Sequence, residues 1–129
     1  MKMNHSSQHG ETPLDIDKLW QITMYDEDLL KELIRLFLAD APERISSLRR
    51  AIAEKEPQNV LVISHGLRGA SRSMTAEKLG ELLGSLEELG DSGRVDGAEG
   101  LISEVEMEFA RLQNYLATVD LHAPPATSA

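Results

Sequence analysis

Residues 57–74, PQNVLVISHGLRGASRSM, decide the fold class and show where to look for chemistry. Pro57 sits where a helix tolerates proline, in its first turn. On a helical wheel with residues roughly 100° apart and Val60 at the origin, Ile63, Leu67, Ala70 and Met74 fall between about 280° and 340°. That arc is a core-facing stripe. Arg68 then lies near about 80°, Arg72 near about 120°, His65 near about 140° and Gly69 near about 180°. The segment predicts a helix that turns a histidine, flanked by two arginines, toward solvent.

The same three- and four-residue spacing continues on both sides. Downstream, Thr75 is placed to cap a helix bearing Leu79, Leu82, Leu83, Leu86 and Leu89, closed by Gly90 and Gly93. A longer helix follows, with Ala98, Leu101, Ile102, Val105, Phe109, Leu112, Leu116 and Val119 in one stripe. Upstream, residues 14–22 make a short helix, and a second starts at Asp26, with Glu27 and Asp28 at its positive dipole end. Asp40-Ala41-Pro42-Glu43 has the form of another start: an N-cap acid, an early proline and a third-position Glu. It predicts a separate helix through Ile45, Leu48 and Ile52. Alternating β-branched runs are nearly absent. The expectation is an all-α protein, an antiparallel four-helix bundle with two short additional N-terminal helices.

At 129 residues and roughly 150 residues per domain, the chain predicts one domain, over residues 13–120. Residues 1–12 and 121–129 carry too little apolar surface to offset their ordering entropy and are read as disordered tails. A net charge of −9 argues against general nucleic-acid binding, where positive charge supplies most of the affinity. With no cysteine there is no disulfide framework, thiolate metal site or cysteine nucleophile. No apolar run approaches the roughly 18 residues of a membrane span, and the N-terminus lacks a signal-peptide core. A cytoplasmic protein without membrane attachment is expected.

His5, His9 and His122 fall in the expected tails, so His65 is the one histidine in the body of the fold. Gly66 and Gly69 sit inside its helix at a cost of about 1 kcal/mol each relative to Ala. Gly69, four residues after His65, clears space beside the imidazole for a bulky group or another protein's backbone. Gly66 lies nearer the core edge, where close helix packing is an equal reason. Leu61 puts an apolar residue one turn before His65 on the same side, as a docking surface would. An ordinary imidazole is largely neutral at neutral pH, and its free ring nitrogen is a competent nucleophile toward phosphorus. Neighbouring guanidiniums would stabilise a phosphoryl group and disfavour a cationic ring.

The run His65-Gly66-Leu67-Arg68-Gly69-Ala70-Ser71-Arg72-Ser73-Met74-Thr75-Ala76 resembles the signature of histidine-containing phosphotransfer (HPt) domains. That signature has a His, an apolar residue two later, Lys or Arg next, then Gly and small residues. Leu79, Leu82, Leu83, Leu86 and Glu87 resemble the family's following helix, and Phe37, Leu38 and Pro42 resemble its Phe and Pro positions. The likeness spans residues 15–120. One position departs: the family usually has Gly where this chain has Thr75 before Ala76.

The resemblance implies a carrier in a two-component phosphorelay. His65 would take a phosphoryl group from the phospho-aspartate of one receiver domain, in a hybrid sensor kinase, and pass it to that of another, in a response regulator, or the reverse. Arg68 and Arg72 would stabilise the phosphate. Leu61, Ser64, Arg68, Gly69 and Arg72, joined by Met24, would form the partner-binding surface. The carrier would be a monomer with no kinase site and no metal of its own, the Mg2+ coming with the receiver. Two alternatives stand beside this: a helical adaptor that works without phosphorylation, and the phospho-acceptor domain of a chemotaxis-type histidine kinase. The proline-containing end of the chain favours a stand-alone carrier. Arg49 and Arg50, and the acids Glu104, Glu106 and Glu108, are expected on solvated faces, and Gly80 and Gly84 on a helix flank.

Overall fold

The computed structural model describes residues 12–122, so most of both expected tails lies outside the described residues. Five helices occur among them: α1 (Ile16–Ile22), α2 (Glu27–Ala53), α3 (Pro57–Ser73), α4 (Glu77–Asp91) and α5 (Ala98–Thr118). The last four form a closed ring in which α3 packs on α2 and α4, and α5 packs on α4 and α2. Short links at residues 54–56, 74–76 and 92–97 make successive helices antiparallel. Phe37 of α2 and Phe109 of α5 meet edge to face, 5.9 Å between ring centroids. The small α1 packs on α2 and seals Leu19 and Trp20.

One short N-terminal helix therefore stands where two were expected. The predicted break at Asp40 is absent, and α2 runs unbroken for 27 residues with Pro42 inside it. Asp40 does not cap; its carboxylate accepts from Arg44 Nε one turn later, at 2.8 Å. The buried stripe Leu30, Ile34, Phe37, Ala41, Ile45, Leu48 and Ile52 crosses the proline without losing phase. Pro42 itself is exposed, on the side where a carbonyl deprived of its amide partner can turn to water.

Helices α1 to α4 share one ending. The amides of Tyr25, Glu56, Ala76 and Arg94 bond to the carbonyls of Trp20, Ala51, Ser71 and Leu89 five residues back, the Schellman arrangement. Its left-handed position falls on Met24, Lys55, Thr75 and Gly93, so only α4 ends on a glycine. Thr75 is thus not the cap of α4; that place belongs to Ala76, which makes no side-chain cap bond. The Thr75 hydroxyl instead accepts from the Asp15 amide (2.9 Å) and donates to the Asp15 carbonyl (3.1 Å). This fastens the segment before α1 to the α3–α4 turn. Gly90 does not end α4 but lies within it, where a Cβ would stand 2.7 Å from Pro57 O and Leu61 N of α3.

Several side chains expected on wet faces are engaged. Arg49 donates to both oxygens of Glu106 (2.7 and 2.8 Å), joining α2 to α5. Glu108 is buried and accepts from Arg111. His122 stands 3.4 Å from Glu27, beside the start of α2.

Candidate functional site

The buried stripe of α3 is Val60, Ser64, Leu67 and Ser71. It is rotated from the apolar stripe of the wheel, leaving Ile63 and Ala70 half-buried. Two serines go inside because small side chains suit a close seam and each hydroxyl donates to the carbonyl four residues back, Ser64 to Val60 and Ser71 to Leu67. Ser64, expected on the partner surface, is fully buried and offers a partner nothing.

His65 lies opposite this seam with 69% of its side chain exposed. Its Nδ1–H donates to Glu87 Oε2 of α4 at 2.8 Å. The second oxygen of Glu87 accepts from Arg68 Nη1 at 2.7 Å. A carboxylate can only accept, so the neutral ring carries its hydrogen on Nδ1 and keeps the lone pair on Nε2. The hydrogen bond from His65 holds the Glu87 carboxyl below the usual carboxylate range, partial burial opposes it, and Arg68 adds to the lowering. Sequence reasoning placed Glu87 in a family pattern and gave it no part in the site.

The two arginines are laid along α4. The Arg72 stem passes 3.0 Å from where a Gly80 Cβ would be, and the Arg68 stem 3.6 Å from the same point on Gly84. These glycines, four residues apart, form a trough for the arginine stems, which accounts for their place on the flank. The trough belongs to an open groove of about 540 Å3 that also includes half-buried Leu61. Gly69 faces open space, with no heavy atom within 4 Å of the missing Cβ. At Gly66 the neighbour is the Arg44 guanidinium of α2, 3.0 Å away, and not a helix backbone. The structure thus brings His65, Arg68, Arg72, Gly69 and Leu61 to one side of the bundle. Met24 is 78% exposed at the end of α1, but the residues of α1 that share a hollow with Arg72 are Lys18 and Ile22.

Among the described residues no group of three His, Asp or Glu side chains is placed to hold a metal ion. No helix among them is long and apolar enough to cross a membrane.

The sequence model of the Hpt domain matches residues 32–115, a span that takes in all of α3 and α4. The crystal structure of histidine-containing phosphotransfer protein B (HptB) from Pseudomonas aeruginosa PAO1 is similar, with a TM-score of 0.76 and 30% sequence identity over 81% of this chain and 91% of that chain. No curated protein sequence matches.

Proposed function

This chain belongs to the Hpt domain family and is a phosphotransfer protein of a phosphorelay, and on that premise we propose that His65 carries the phosphoryl group. The observation behind this reading is the exposed imidazole whose Nδ1 is engaged by Glu87, so that the nucleophilic lone pair belongs to Nε2. Phosphoryl transfer asks mainly for alignment and charge stabilisation. A stiff four-helix ring supplies the alignment, and Arg68 and Arg72 supply positive charge beside the transferred group. Gly69 leaves the flank clear for the partner.

The partners are receiver domains, one in a hybrid sensor kinase and one in a response regulator. Each brings the phosphorylatable aspartate and the Mg2+ that screens the phosphate oxygens. The carrier works as a cytoplasmic monomer, through a transient phosphohistidine and with no kinase chemistry of its own. Leu61, Arg68, Gly69 and Arg72 form the centre of the docking surface.

Incubation of the purified protein with a phosphorylated receiver domain tests this. Acid-labile label should appear on His65, and His65→Gln should abolish it while leaving the circular dichroism spectrum unchanged. Undiminished labelling of that variant would overturn the assignment; label that never reaches the protein, with binding intact, would favour an adaptor.

A further inference from the structure

Gly66 lies mid-helix in α3, next to His65, where a glycine costs about 1 kcal/mol relative to Ala. What it admits is a side chain. The Arg44 guanidinium of α2 comes within 3.0 Å of the place a Cβ would take, and among the described residues no other group of a neighbouring helix lies within 4 Å of it. Close approach of helix backbones therefore does not explain this glycine, as it does Gly90.

Stability does not explain it either. Arg44 Nε pairs with Asp40 Oδ2 at 2.8 Å, an i,i+4 contact in which the two side chains stay 43% and 51% exposed. Such exposed helix pairs contribute about 0.3–0.5 kcal/mol, less than the glycine costs. The arrangement fixes a direction instead: with Nε turned to Asp40, Nη1 is laid against α3 at Gly66. A guanidinium held from one edge is ready to take a carboxylate on another, because its donors form a rigid planar fork.

The surroundings suit a partner that covers His65. Around α3, Gly66 falls about 100° from His65, with Gly69 between them, open to solvent. Val62, 59% exposed, stands one turn before Gly66. Arg44 closes this flank as part of an open hollow of about 410 Å3 whose α3 side, Val62, Ile63 and Gly66, carries no charge. A partner lying over His65 and the clear flank at Gly69 reaches Arg44 across that uncharged side. Asp40 and Glu43 line the α2 side and repel an acid arriving from there. On the opposite flank Arg68 is already engaged by Glu87.

We infer that Arg44 is a specificity-determining residue: it anchors an acidic side chain on the docking face of the receiver domain, so that this carrier serves receivers with an Asp or Glu there and disfavours those with Lys or Arg. This rests on His65 as the carrier and on receivers as its partners. No contact with the reacting atoms is assigned to Arg44; it acts on encounter and hold, where charge complementarity sets the choice of partner. In a chain of net charge −9 a single cation at this edge discriminates strongly, since its loss leaves Asp40 and Glu43 facing the partner's acid.

The test uses the full-length protein and the phosphorylated receiver domain, among those of its own genome, that labels it fastest. Transfer rates are measured against receiver concentration for the unaltered protein, Arg44→Gln, Gly66→Ala and the double variant. Arg44→Gln should raise the half-saturating concentration about tenfold, the effect of losing one charge-assisted bond, and leave the rate at saturation within about twofold. Gly66→Ala keeps the charge but displaces the guanidinium, so it should also raise the half-saturating concentration, even as the melting temperature rises. In the double variant the added methyl displaces nothing, and its effect should disappear. Arg44→Glu should recover transfer when one acid near the receiver's aspartate is changed to Lys, found by changing each in turn. An unchanged half-saturating concentration in Arg44→Gln, a loss confined to the saturated rate, additive effects of the two substitutions, or failure of every Lys exchange to rescue Arg44→Glu would each overturn the assignment. If His65 of the unaltered protein takes label neither from any receiver nor from potassium phosphoramidate, the proposed function fails and the role of Arg44 with it, a result distinct from any pattern among the curves.

Discussion

Glu87 stays ionised below the ordinary carboxylate range because His65 donates to it and Arg68 flanks it, and this ties fold stability to pH. A carboxyl whose folded pKa is depressed stabilises the fold fully above the unfolded value of about 4.3, and that contribution is lost as pH falls through the folded value. Glu106, lowered chiefly by its hydrogen bond from Arg49, acts in the same sense. Denaturant midpoints should therefore hold steady above about pH 5 and decline below about pH 4, with a shallower decline in Glu87→Gln; an equally steep acid limb would show that Glu87 contributes nothing to it. The position of His65 and the arginines beside it were legible because they follow from spacing within one helix. The Glu87 contact was not, because it joins residues 22 apart through the packing of two helices. Ser64, placed on the partner surface by the resemblance, was misread for a related reason: a close seam between helices selects for size and lets a serine satisfy its own hydroxyl.

Helix endings explain most of the differences at the next scale up. The usual cue for a C-terminus is glycine, yet α1, α2 and α3 finish with Met24, Lys55 and Thr75 in the left-handed region. A side chain there costs roughly 1–2 kcal/mol. Lys55 is exposed, so Lys55→Gly should stabilise the protein by about 1 kcal/mol, raising Tm by about 4 °C; an unchanged or lower melting temperature would refute the strain assigned to that corner. Thr75→Gly should gain less, because it forfeits the two hydroxyl bonds to Asp15. The continuity of α2 was visible in outline. Phe37, Ala41 and Ile45 keep helical phase across Pro42, a stronger signal than the capping-box pattern, because burial of a long stripe outweighs one missing hydrogen bond. The role of Gly80 and Gly84 could not be read linearly, since what each glycine admits is an arginine stem from another helix.

For the molecule as a whole, the all-α class and the bundle followed from periodicity, and the ring of four helices agrees with them. The family match begins at residue 32 and leaves α1 outside it, although α1 carries the chain's single tryptophan, Trp20, only 1% exposed. That burial makes α1 an integral part of the core. Unfolding followed by Trp20 fluorescence and by far-ultraviolet circular dichroism should give coincident midpoints, as two-state behaviour requires; an earlier fluorescence transition would mean that α1 detaches while the ring survives. The empty flank at Gly69 sets two demands on the chain against each other. Nothing in the fold opposes a side chain there, and exchanging a mid-helix glycine for alanine gains about 1 kcal/mol. A laboratory selection for heat tolerance alone should therefore replace Gly69 readily, and with a bulky residue such as Leu it would yield a hardier molecule that its receivers can no longer reach.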